Sequence, residues 1–208
     1  MVLKLKIIHD EFIEEIYRES MEELNRFFDI NWKNHVPEVI VVEDRKALDK
    51  FTGRKTQEWN VAFASNNQIF ILSKKNYERD STHKYSDINY KMLLKHELVH
   101  LFLKAYSNWQ GYVPAWFEEG LCVYLSGQIK NHKVERFESF FESYDRCGKN
   151  VYSEGGFAIK VLIEKLDVEK IMQILRNLKI SLNKEDFDTL FSEIYGFSPS
   201  YEKFNKML

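Results

Sequence analysis

The segment Asp87–Tyr106, DINYKMLLKHELVHLFLKAY, constrains this chain more than any other. Its apolar residues recur at helical spacing, and from Leu98 to Leu103 they occupy several faces at once. That pattern predicts a helix buried on most sides near the centre of the fold, with Asp87 placed to cap its start. The same helix holds HELVH, in which His96, Glu97 and His100 can all titrate. Such a stretch is either an ordinary turn of helix rich in polar groups or part of a metal site.

Residues four apart on an α-helix differ by about 40° around its axis, so His96 and His100 project from one face. Their ring nitrogens can reach one cation without bending the backbone. Zinc suits two neutral imidazoles and a carboxylate, with a fourth position open to water. Glu97, next round the helix, can reach that water as a general base, which a glutamine at 97 could not do. As a chance match the pentapeptide should occur in roughly one chain in a hundred of this length, so a third donor matters. Eighteen residues separate His100 from Glu119, which lies in PAWFEEGLCVY. Pro114 suits the first turn of a helix there and Gly127 its end, and a short loop can fold it back onto the first. A carboxylate from that helix can complete a tetrahedron.

The remaining chain reads as mixed α and β to about residue 86 and as helical beyond. A short strand is expected over Val2–Ile8, a helix from Phe12 to Phe28 and a buried strand over Val39–Val42. A helix capped by Asp44 and running to Phe51 follows. Trp59–Ala64 and Gln68–Leu72 form a hairpin turned at Ser65-Asn66-Asn67. Further helices are expected over Lys133–Arg146, Ser153–Leu166, Val168–Leu178 and Lys184–Tyr195, the last stopped by Gly196. Ser198-Pro199 opens a final short one. There is no repeat, linker or low-complexity tract. The expected class is α+β, a single unit over residues 1–208. A β-containing lobe over residues 1–86 joins a helical lobe over residues 87–208 that carries the site.

Composition removes several function classes. The chain of 208 residues is 44% hydrophobic and 15% aromatic, enough to bury a core. Lys and Arg total 30 against 32 Asp and Glu, a formal net charge of −2 with the basic residues scattered. Neither nucleic acid nor an anionic membrane is an expected partner. No window approaches the roughly 20 apolar residues of a membrane span, and Lys4 and Lys6 interrupt the apolar start of MVLKLKIIHDEF. Cys122 and Cys147 lack metal or redox spacing and read as free thiols, which points to the cytoplasm.

The pattern H-E-x-x-H, eighteen residues, then Glu inside W-x-x-E-G resembles the gluzincin metallopeptidases. It is similar above all to the alanyl aminopeptidase family and to small peptidase MA-like proteins. The resemblance covers roughly residues 35–208, with its specific part at 96–119. It implies a zincin-like fold around an active-site helix, one zinc ion on His96, His100 and Glu119, and Glu97 as the base. It selects Glu119 over Glu118, because the glutamate directly before the glycine is the ligand. Pro114-Ala115-Trp116 matches the P-x-W that precedes this ligand, and TLFSEIYGFSPSYEKF is similar to the end of small chains of this type. Tyr152, opening YSEGGFAIKVLIEKL, resembles the tyrosine that donates to the developing oxyanion. NVAFASNNQIFILS stands where these enzymes place the edge strand along which substrate pairs.

Two departures stand out. The Gly-Ala-Met-Glu-Asn motif that anchors a free amino terminus is absent, so aminopeptidase activity is not implied. Val123 stands where thermolysin-type enzymes have an aspartate supporting a histidine ligand, so the acceptors behind His96 and His100 must come from elsewhere. Glu118 is expected beside the site rather than on the metal, His83 reads as a solvated loop residue more readily than as part of the cleft, and Trp109 and Tyr112 either wall the site or cover the core. The expected activity is zinc-dependent hydrolysis of a peptide or protein substrate. A zinc-stabilised binding or regulatory module without turnover is the alternative, and hydrolysis of a non-peptide bond a third possibility.

Overall fold

The computed structural model describes residues 8–107, 111–143, 148, 150–181 and 183–208. The strand expected over Val2–Ile8 lies almost wholly outside the described residues, as do Trp109 and Cys147. The chain is α+β, mostly helical with one small sheet.

Helix α1 spans Glu11–Phe27 and starts at Asp10, whose carboxylate accepts the Ile13 amide. Strand β1, Glu38–Val42, leads into α2, Arg45–Thr52, capped by Asp44 and ended by Gly53 in the left-handed region. Strands β2, Ala62–Ser65, and β3, Gln68–Leu72, form the expected hairpin. Its two-residue turn is Asn66-Asn67, with φ of 49° and 62°, the left-handed pair that asparagine tolerates and that matches strand twist. Strand β3 is central. It runs parallel to β1 and antiparallel to β2, which leaves β2 on the edge of the sheet.

Helix α3, Asp87–Ser107, is the buried element its sequence predicts, with Leu94, Leu98, Val99 and Phe102 all inaccessible to solvent. Asp87 is its first residue rather than its cap; Ser86 Oγ accepts the Asn89 amide at 3.2 Å in that role. Helix α1 lies along α3 through stacked Phe28 and Phe102 and through Lys95–Glu23 and Lys91–Glu19 ion pairs. Helix α4, Ala115–Ser126, begins just after Pro114 and stops at Gly127 with φ of 83°. Four further helices follow: α5 Val151–Lys165, α6 Val168–Asn177, α7 Lys184–Tyr195 and α8 Tyr201–Met207. Gly196 ends α7 as expected, and Ser200 rather than Ser198 caps α8.

The helix expected over Lys133–Arg146 is the clear failure of the periodicity argument. The described part of that segment is irregular apart from one 3-10 turn at Phe140–Ser143. Phe137 and Phe140 are buried, but the amides of the segment are satisfied differently. Those of Glu138, Ser139 and Phe140 all donate to Glu154 Oε2, and the amide and carbonyl of Phe137 bond the Asn205 side chain. A carboxylate from α5 thus replaces the carbonyl ladder a helix would have used.

One buried apolar cluster runs from Ile13 in α1 to Phe204 in α8, and a smaller one, Val42, Leu48 and Phe70, lies beneath α2. Within the large cluster Trp116 is enclosed by Phe117, Phe140, Phe187 and Phe204, mostly edge-on. No helix among the described residues is long and apolar enough to cross a membrane.

Helices α4 and α5 approach until their backbones touch. A Cβ at Gly120 would stand 2.5 Å from the Gly155 carbonyl oxygen, and one at Gly155 would stand 2.7 Å from the Trp116 carbonyl oxygen. Real Cβ atoms do not come so close to backbone, so Gly120 and Gly155 set the spacing. Gly120→Ala is expected to lower the free energy of unfolding by about 1–3 kcal/mol, read from the urea midpoint. An unchanged midpoint would contradict the contact.

Candidate metal centre

The histidine pair projects from α3 as its spacing predicts, with ring centroids 5.1 Å apart. Helix α4 packs across that face and delivers Glu119 to both rings. Glu119 Oε2 lies 3.2 Å from His96 Nε2 and 3.6 Å from His100 Nε2. A tetrahedral zinc site with bonds of about 2.0–2.1 Å has ligand-to-ligand edges of about 3.3 Å, so these separations match two such edges.

The far side of each ring is also held. His96 Nδ1 donates to Gln128 Oε1 at 2.9 Å, and His100 Nδ1 to Glu118 Oε1 at 2.8 Å. Glu118 therefore backs His100 while Glu119 faces the shared point, which separates the two neighbouring glutamates by role. With the Nδ1 protons directed outward, both Nε2 lone pairs and a carboxylate oxygen turn inward. Three acceptors converge where a cation or a proton must sit. The donor set fits zinc in kind and in spacing.

Gln128 and Glu118 are the acceptors whose source the sequence left open. Gln128 was not foreseen, because it lies just beyond the Gly127 stop, in a short 3-10 segment Gln128–Asn131 that no motif marks. Cys122 was passed over as well. It has no metal spacing along the chain, yet its sulfur joins the two histidines in a group whose donor atoms lie within 4.8 Å of one another. It sits one turn beyond Glu119 and is wholly buried. The carboxylate oxygen of Glu119 offers another third donor, 3.2 and 3.6 Å from the two Nε2 atoms.

Burial shapes the charges. Glu97 is 7% exposed, and desolvation raises its carboxyl above the usual range against the opposing pull of His100 and His96. The Ala64 amide of β2 donates to it. Burial alone would lower His100, but contact with the Cys122 sulfur and the Glu118 and Glu119 carboxylates outweighs it and raises the ring well above its ordinary value. Burial pushes the Cys122 thiol itself up to about 12.

The group opens into a cleft of about 870 Å³ between β2 and the face of α3 that carries the histidines. Ala62 and Ala64 line one wall, Tyr152 another. Tyr152 is half-buried at the start of α5, its ring centroid 6.3 Å from that of His96. His83 lines the cleft near Trp59, whose carbonyl oxygen is 2.8 Å from His83 Nε2. Tyr112 lies away from the cleft lining, its amide bonded to the Ser181 carbonyl. Comparison with known protein families, curated proteins and solved structures finds no match for this chain.

Two outcomes are expected. Contact with Glu118 and Glu119 favours the proton on His100, and a metal bound at its Nε2 would compete with that proton. Calorimetry in buffers of different ionisation enthalpy should show proton release, with affinity rising as pH rises; binding without release would contradict the assignment. Gln128→Ala should lower zinc affinity about 10–100-fold in a chelator competition, while an unchanged affinity would remove Gln128 from the site.

Proposed function

We propose that the chain is a zinc-dependent peptidase of gluzincin type, with a zincin-like arrangement of its α+β fold. The observation that carries this reading is Glu119 Oε2 at 3.2 Å from His96 Nε2 and 3.6 Å from His100 Nε2, near the edge length of a tetrahedral zinc site, with the buried Glu97 lining the same cleft. A base next to an open metal site has no purpose in a purely structural centre.

Zinc held by these three residues would supply a Lewis acid and water of lowered pKa. Glu97, its proton affinity raised by burial, accepts the proton as water oxygen attacks the peptide carbonyl. It then returns that proton to the amide nitrogen as the carbon–nitrogen bond breaks. The Tyr152 hydroxyl, facing the same cleft, is placed to donate to the carbonyl oxygen as negative charge develops there. Strand β2 supports a peptide as the substrate. It is the edge of the sheet and lines the cleft, so an extended chain can pair with its outer side. A cytoplasmic setting fits the free Cys122 thiol.

One observation favours a second reading, a zinc-stabilised binding module without turnover. Cys122 offers a fourth protein donor near the histidines, and four protein ligands would close the site to water. Cobalt substitution separates the two. A near-ultraviolet sulfur-to-cobalt charge-transfer band, abolished in Cys122→Ser, would favour the closed module; its absence favours the open site.

Glu97→Gln should keep the metal and lose at least about 100-fold in turnover on a broad peptide library. Cleavage by that variant at the parent rate would overturn the base assignment. Glu119→Ala should reduce bound zinc, and unchanged metal content would reject the ligand set.

A further inference from the structure

The charges along the cleft are divided by position. Its three carboxylates, Glu97, Glu118 and Glu119, all stand at the metal centre, where they face the histidines. The cations stand elsewhere. Lys84 is paired with Glu78 at 3.5 Å. Arg54 and Lys104 line the cleft, are exposed, and make no side-chain hydrogen bond or ion pair among the described residues. A bound divalent ion would add two further positive charges. The cleft is then cationic toward its substrate although the chain as a whole carries a net charge of −2.

Lys104 has a defined place in that field. Counting back in fours from 104 reaches 100 and 96, so it extends the histidine face of α3 by one further turn. The rise from His100 to Lys104 is about 6 Å along the helix, or about two residues of an extended peptide lying in the cleft.

We propose that the cleft selects peptides carrying an acidic side chain about two residues from the cleaved bond, received by Lys104 with Arg54 as a second cation. This specificity rests on the peptidase reading but is tested apart from turnover. The probes are a fluorescein-labelled alanine-based dodecapeptide with glutamates at alternate positions and its glutamine counterpart. Binding of each is measured by anisotropy to zinc-loaded Glu97→Gln protein at low and at high salt.

The glutamate peptide should bind about tenfold more tightly, as two solvent-facing ion pairs allow, and added salt should erase the preference. Lys104→Glu combined with Arg54→Glu should abolish or invert the preference, and Lys104→Arg should retain it. Equal affinity for the two peptides, no binding of either, or a preference untouched by the charge reversals would overturn the proposal. The peptidase reading fails on a different result, namely that zinc-loaded parent protein cleaves no member of a broad peptide library.

Discussion

The arrangement turns on an electrostatic constraint: three acceptor atoms are brought together where little water reaches. Two imidazole nitrogens and a carboxylate oxygen facing one another repel unless something positive lies between them. A proton can serve, and contact with the Cys122 sulfur and the Glu118 and Glu119 carboxylates raises the proton affinity of His100. A divalent ion serves better, since it satisfies all three at once. The outward hydrogen bonds to Gln128 and Glu118 keep the rings from turning away from this confrontation. Without those bonds either ring could rotate and relieve the repulsion.

Holding the constraint in place falls to helix packing. Glu119 reaches the histidines because α4 lies across α3, and α4 lies there because α5 presses on its other side through glycine backbones. Glycine at 120 therefore has a mechanical reason to follow the glutamate at 119. Trp116, one turn earlier, is locked among rings from the 3-10 turn at Phe140–Ser143, from α7 and from α8. The helix carrying Glu119 is gripped on two sides by contacts that tolerate little displacement.

Much of this was legible in the chain because it depends on short-range periodicity. The pairing of His96 with His100 follows from helical geometry alone, as do the Asp44 cap, the Asn66-Asn67 hairpin and the glycine stops at 127 and 196. What was not legible depends on contacts between distant segments. Gln128 and Cys122 acquire their positions only when α4 folds onto α3, and neither carries a local pattern that announces this. The segment after Lys133 has the apolar spacing of a helix, but Glu154 and Asn205 capture its backbone groups from elsewhere in the chain. Periodicity reports which residues want burial; it cannot report which side chain will take the amides.

The enclosure of Trp116 by Phe204 bears on biosynthesis. Residues 201–207 leave the ribosome after His96, His100 and Glu119 have emerged, yet they wall the aromatic pocket that steadies the helix bearing Glu119. A nascent chain stalled before α8 would hold both histidines and the glutamate but lack one wall of their support. The helix bearing Glu119 therefore gains one wall of its support only once Phe204 has been added to the chain.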